Sequence, residues 1–170
     1  MDPTFFETPA DFRAWLARNH AEAGFLWVGF YKKGSGRRSI TWPESVDEAL
    51  CYGWIDGVRK GIDAESYMIR FTRRKPGSVW SSVNVNRVRA LGELGRMQPA
   101  GLAAFQARKE DRSGIYSHEQ GDVELPESYR GLLREDRAAW EFFEKQPASY
   151  RKAAGWWVVS GKKDETRRKR

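Results

Sequence analysis

The sequence predicts an α+β fold: a small antiparallel β-sheet packed with several α-helices, and a helical C-terminal third. Three observations carry that reading. Residues 25–32, FLWVGFYK, are a nearly continuous aromatic and β-branched run of strand length. Tyr67, Ile69 and Phe71 alternate with Met68, Arg70 and Thr72, as in a strand with one buried face. Beyond Leu125, apolar residues recur at helical spacing and are interrupted at Glu135-Asp136 and Gln146-Pro147, which reads as three consecutive short helices.

Taken in order, Thr8 is placed to cap a first helix, with Pro9 in its first position and Asp11 at the third. Phe12, Trp15 and Leu16 form its buried stripe, and Gly24 closes it. Residues 25–32 then read as an inner strand in which Gly29 marks a close neighbour or a bulge. KGSGRR, residues 33–38, is a loop whose cations form a solvated tip or a phosphate contact.

The chain is organised around residues 41–57, TWPESVDEALCYGWIDG, where a capped helix runs into a strand. Thr41 and Glu44 stand at capping-box spacing, although Pro43 disfavours helical geometry at Trp42 and leaves Trp42 as an alternative cap. Val46, Ala49 and Leu50 share one helical face. After Leu50 the period falls to two, and Asp56-Gly57 is the dipeptide that best closes a two-residue hairpin, so that residues 58–62 pair back across it.

Arg73-Arg74-Lys75-Pro76-Gly77 ends the sheet, and SVWSSVN, residues 78–84, opens a helix that buries Val85, Val88, Leu91 and Leu94. Gly95 breaks that helix. Gln98-Pro99 starts another, with Leu102 and Phe105 inward. Residues 111–124 carry no period and read as the longest loop, with a short strand allowed at Ile115-Tyr116. In the last third the inward residues are Tyr129, Leu132 and Leu133, then Trp140 and Phe143, then Tyr150, Ala153, Trp157 and Val158. Gly161 ends the final helix and a charged tail follows.

At 170 residues with 40% apolar side chains, the length fits a single domain, residues 1–170, with a real core. Its 23 aromatic residues build that core or stack against bases and sugars. Thirty basic and 23 acidic residues give a net charge of +7, unevenly spread. Residues 162–170 hold six basic and two acidic side chains, whereas residues 119–144 hold eight acidic and three basic ones. A bipolar molecule follows, drawn to anions at one place and able to take a cationic peptide at the acidic 119–144 region. One cysteine, Cys51, excludes an intramolecular disulfide and a multi-thiolate metal site. The opening residues lack an apolar signal core and no run is long enough to span a membrane, so a cytoplasmic protein is expected.

Catalytic signals are sparse. His20 sits near a helix end and His118 in a polar loop, Cys51 reads as a small buried residue, and no metal-ligand spacing or glycine-rich phosphate loop occurs. No cofactor is expected. The sharpest polar feature is the strand-to-helix junction carrying Arg73, Arg74, Lys75, Ser78, Trp80, Ser81, Asn84 and Arg87, where cations, hydroxyls and helix-start amides could meet an anion. Trp54 and Asp56 complete the candidate ligand-binding set. The leading reading is a non-catalytic binder of an anionic small molecule or partner at that junction. A second is a nucleic-acid binder using Lys162, Lys163, Arg167, Arg168, Lys169 and Arg170 with an exposed Trp. A third is an enzyme with a pocket near Trp54, Asp56 and Trp80. The sequence sets neither the ligand nor the oligomeric state.

Three blocks carry a resemblance: WPESVDEALCYGWIDG at residues 42–57, FTRRKPGSVWSSVN at 71–84 with GRMQPAGL at 95–102, and YRKAAGWWVVSGKKDETRRKR at 150–170. With them the chain resembles the bacteriocin-protection family labelled YdeI or OmpD-associated. The resemblance implies protection against bacteriocins or cationic antimicrobial peptides and a part in stress fitness, with no established reaction and no catalytic residues to carry over. Descriptions of that family also imply an envelope or periplasmic setting, from which this sequence departs in showing no export signal.

Overall fold

A computed structural model of the chain describes residues 2–116, 119–121 and 123–170, so His118 lies outside the described residues. The α+β class is the one the sequence predicts. The described residues fall into two compact units that divide between Ser113 and Gly114, within the predicted long loop.

The first unit runs β1 (Thr4–Phe5), α1 (Pro9–Asn19), β2 (Phe25–Tyr31), α2 (Trp42–Cys51), β3 (Trp54–Gly61), β4 (Ser66–Arg73), α3 (Ser82–Glu93) and α4 (Pro99–Gln106), then a 3-10 turn at Glu110–Arg112. Its sheet has the order β1-β2-β4-β3. The β2–β4 and β4–β3 pairs are antiparallel, but β1 lies parallel to β2, so the sheet is mixed instead of purely antiparallel. The extra strand explains Gly29. A Cβ there would sit 2.6 Å from the Phe5 ring, which stacks on Tyr31 at 4.5 Å.

Local chemistry sets the helix starts. Thr8 receives the Asp11 amide at 3.3 Å while its own amide donates to the Asp11 carboxylate at 3.0 Å. α1 ends at Asn19 with His20 as its C-cap, so Gly24 leads into β2 and does not close the helix. Thr41, and not Trp42, caps α2: its amide and hydroxyl donate to Glu44 at 2.9 and 2.6 Å. Gly53 then takes a φ of +73°, turning the chain from helix to strand within two residues.

Asp56-Gly57 does not close the hairpin. β3 continues to Gly61 and absorbs the dipeptide where its register against β4 shifts between Asp56 and Arg59. The chain reverses just before Ser66, where one Asp63 oxygen accepts from the Glu65 amide, the Ser66 amide and the Ser66 hydroxyl at 2.7–2.8 Å. Three bonds from one carboxylate outweigh the intrinsic turn preference of Asp-Gly.

The core of this unit is closed to solvent: Phe12, Leu16, Leu50, Trp54, Phe71 and Leu91 are 0% exposed. Each contributes roughly 1.5–3 kcal/mol by leaving water. Glu48, also buried, accepts from Arg13 at 2.9 Å and from Arg96, tying α1, α2 and the turn after α3 together. Two predicted core positions differ. Leu94 is 65% exposed, because α3 ends one residue earlier and its last turn faces water. Leu102 is 42% exposed, because α4 presents glycine and alanine to its neighbour. Gly101 lies directly on the Cys51 carbonyl, where any Cβ would clash, and a Cβ on Gly53 would meet Ala104 at 3.1 Å.

The second unit holds α5 (Glu127–Glu135), α6 (Arg137–Lys145), α7 (Ala148–Val159) and α8 (Asp164–Lys169), with the breaks where the sequence places them. Asp136 caps α6 by accepting from the Ala139 amide at 3.0 Å. No strand forms at Ile115-Tyr116 among the described residues. The charged tail is a helix, α8, held by Tyr129 donating to Asp164 at 2.7 Å. The predicted inward residues are only half-buried at Tyr129, Leu133, Trp140, Phe143 and Val158, and exposed at Leu132, Tyr150, Ala153 and Trp157. Four short helices have no sheet to close against within this unit, so their apolar stripes line clefts. No helix among the described residues is long and apolar enough to cross a membrane.

Candidate functional site

The cations of the junction after β4 diverge. Arg73 donates to the Ala21 carbonyl at 3.0 Å. Arg74 turns the other way, bonding the Val79 carbonyl at 3.2 Å and lying 3.6 Å over the ring of Trp80. Lys75 is exposed. Arg87 grips Asp47 through two bonds of 2.5 Å, and those bonds push its pKa further up. Ser81 uses its hydroxyl as the α3 cap on the Asn84 amide at 3.1 Å, while the Ser78 hydroxyl is buried without a hydrogen-bond partner among the described residues. Arg74, Ser78 and Trp80 therefore share one tight turn, and Arg73 and Arg87 leave it.

The aromatic members are occupied as well. Trp54 is fully buried, donates its indole N–H to the His20 carbonyl at 3.1 Å and meets Trp15 edge-on. Trp80 is 2% exposed and packs edge-on against Phe105, so neither ring offers a face to a ligand. Asp56 accepts from the Trp42 indole at 3.0 Å. Cys51 is buried, and desolvation pushes its thiol pKa up, away from the reactive thiolate. Among the described residues no group of His, Cys, Asp and Glu is arranged to hold a metal ion.

Cations do converge in the second unit, at an open cleft of about 500 Å³. α5 supplies Arg130 and Arg134 one turn apart, α6 supplies Trp140 and Phe143, and α7 supplies Arg151 and Lys152. Arg130 bonds Glu124 at 2.7 Å, and Arg134 bonds Glu127 while its guanidinium lies 4.7 Å over Trp140. Arg151 and Lys152 make no ion pair among the described residues. With Glu124 and Glu144 also on the wall, four cations face two carboxylates. Three fork-shaped guanidiniums, a lysine and an indole face can hold a phosphate or carboxylate attached to a flat or apolar group. Net charge across residues 119–144 hides this cleft in the sequence. The usable signal was local: Arg130 and Arg134 at i,i+4, then Arg151-Lys152 on the next helix face.

Of the six basic residues of the tail, Arg167, Arg168, Lys169 and Arg170 line a second cleft in this unit, while Lys162 and Lys163 precede α8.

An α+β protein with an open, cation-lined cleft on its C-terminal helices is the class that fold and site define. Residues 4–104 match the model of a domain of unknown function, DUF8412; that is more than half the chain, and the protein belongs to this family. Residues 122–170 match the family model described as bacteriocin-protection, YdeI or OmpD-associated. The family resemblance seen in the sequence thus holds for the C-terminal part. The block at 150–170 lies within that match, and those at 42–57, 71–84 and 95–102 lie within the first. Searches of curated proteins and of solved structures return no match.

Proposed function

We propose that the protein is a non-catalytic binder of an anionic ligand, serving the bacteriocin protection that names the family matched by residues 122–170, and that the ligand sits in the cleft of Arg130, Arg134, Arg151 and Lys152. The observation that carries the reading is that these four cations line one cleft together with Trp140, within the segment matched by that family. The sequence points instead to the junction at Arg73–Arg87. We place the ligand elsewhere because Arg73, Arg74 and Arg87 diverge and Trp80 is buried. A cationic-peptide target is less favoured, since Glu124, Glu127 and Glu141 of the acidic stretch are each paired with an arginine of the same stretch.

Calorimetry with inorganic phosphate, AMP and a short single-stranded oligonucleotide tests this. Wild type is expected to bind AMP more tightly than phosphate, because the indole adds stacking. Arg151→Gln with Lys152→Gln is expected to weaken AMP about ten- to hundredfold, the scale of one or two charge-assisted hydrogen bonds. An Arg73, Arg74, Lys75 to Ala variant should bind as wild type does. Binding lost in that triple variant but kept in the double one would return the site to the junction and overturn the assignment. Binding of the oligonucleotide alone, with a steep salt slope, would favour the nucleic-acid reading.

A further inference from the structure

The second cleft of the C-terminal unit, about 490 Å³, has a different chemistry from the first. Its floor is apolar: Leu132 and Leu133 from α5, Phe143 from α6, and Tyr150, Trp157 and Val158 from α7. Leu132, Tyr150 and Trp157 remain 40%, 47% and 53% exposed, so the floor is open to solvent along one wall. Isolated exposed leucines are ordinary, but contiguous apolar surface beside a cavity of this size marks a binding groove.

The rim is cationic throughout. α8 lays Arg167, Arg168, Lys169 and Arg170 along it. Arg168 and Lys169 share charge with Asp164 and Glu165 in i,i+4 pairs that are exposed on both sides, and such pairs exchange readily for a better anion. Arg167 is anchored differently, donating to the Gly161 carbonyl at 2.6 Å, and Arg170 donates to the Trp157 carbonyl and to the Ser160 hydroxyl. Backbone acceptors fix those guanidiniums without cancelling their charge. The turn before α8 is set by Gly161: a Cβ there would sit 3.0 Å from the Arg167 side chain and 3.2 Å from the Val158 carbonyl. The basic helix is thus held against the apolar floor by packing that a larger residue would disrupt.

We propose that this groove binds a single-chain anionic amphiphile, its alkyl chain lying on the floor of Leu132, Leu133, Tyr150 and Trp157 and its carboxylate, sulfate or phosphate head meeting the α8 cations. Charge complementarity selects the head and contiguous apolar area selects the chain. Among the described residues the groove shares Leu125 and Phe143 alone with the basic cleft, so loss of AMP binding and loss of amphiphile binding report separately on the two sites.

The test uses the full chain and calorimetry with laurate, decanoate, dodecyl maltoside and dodecyltrimethylammonium, each below its micellar concentration. Laurate is expected to bind saturably, one per chain. Decanoate should be about fifteenfold weaker, since each buried methylene is worth roughly fourfold in affinity. The neutral and cationic amphiphiles should bind at least about tenfold more weakly than laurate. Arg168→Gln with Lys169→Gln alters only exposed side chains and should weaken laurate about tenfold or more; Leu132→Asp, at an exposed position, should abolish its binding. Anionic vesicles separate the two sources of such a ligand. Laurate binding without sedimentation is expected, the occupant being a free single-chain molecule, and sedimentation that Leu132→Asp removes would assign the groove to a lipid surface and overturn that source. Equal affinity for laurate and dodecyltrimethylammonium, or unaltered laurate binding in Leu132→Asp, overturns the proposal.

Discussion

The two units treat their aromatic and aliphatic residues in opposite ways. In the first, Phe12, Trp54 and Phe71 are 0% exposed and the one buried acid, Glu48, is clasped by two arginines. In the second, Leu125 is the single large apolar residue that is buried among those described, while Phe142 and Trp157 stand at 58% and 53%. A sheet with helices packed against it encloses its core, but short helices alone leave stripes half open. The first unit buries most of its large apolar residues in its own core, although Val83 and Leu94 stay exposed, and the second leaves most of its own half-buried or exposed, several of them lining clefts rimmed with cations.

The largest expected effect comes from truncating matched positions in the two units. Phe71→Ala should destabilise by about 3–5 kcal/mol, the range for a fully buried aromatic, with a clear loss in the guanidinium midpoint followed by tryptophan fluorescence. Leu133→Ala, at a half-buried site, should cost about 1 kcal/mol. Equal costs would mean that the second unit hides a core as tight as the first, and the comparison would collapse.

Glycines sharpen it next, because the same substitution should change sign. Gly101→Ala puts a methyl group into the Cys51 carbonyl, which belongs to the backbone and cannot swing away, and should cost about 1–3 kcal/mol. Gly131→Ala in the middle of α5 meets nothing within 4 Å and removes helix-interior glycine entropy, so about 0.5–1 kcal/mol of stabilisation is expected. Thermal unfolding of both variants reads the sign directly.

How much of this was legible in the sequence follows from the range of the forces involved. Thr8 with Asp11, Thr41 with Glu44, and the alternation through β4 are local patterns, and the structure realises each of them. The parallel strand β1 was not legible, because two residues carry no period and their placement depends on Phe5 reaching Gly29 across the fold. Leu102 misled for a similar reason: apolar character marks a buried helix face only when the neighbour is far enough away, and at the end of α2 the backbone comes so close that only glycine and alanine fit. The junction at Arg73–Arg87 gathers cations in sequence, yet Asp47, forty residues upstream of Arg87, takes one of them in space. Both clefts of the C-terminal unit escaped notice for the converse reason, since their walls come from three or four separate helices.

The smallest effect is a pH dependence that differs between the units. Bonds from the Thr41 hydroxyl and amide hold the Glu44 carboxyl below the ordinary carboxylate range. A depressed folded-state pKa means that the stabilisation is complete above the unfolded value, about 4.3, and vanishes as pH falls through the lower folded value. Wild type should therefore exceed Glu44→Gln by about 0.5 kcal/mol in urea unfolding at pH 6, the low end for an exposed helix cap, and the gap should close by pH 3. Asp164 is lowered by the same logic, chiefly by the Tyr129 hydroxyl and then by Arg168. It ties only the short, exposed α8, so Asp164→Asn should speed amide exchange in that helix above about pH 4 while leaving the urea midpoint of the first unit unmoved. A pH-independent gap for Glu44→Gln would show that its cap works by packing and not by charge, and an unfolding midpoint that moved with Asp164→Asn would make α8 part of the stability core instead of the rim of a groove.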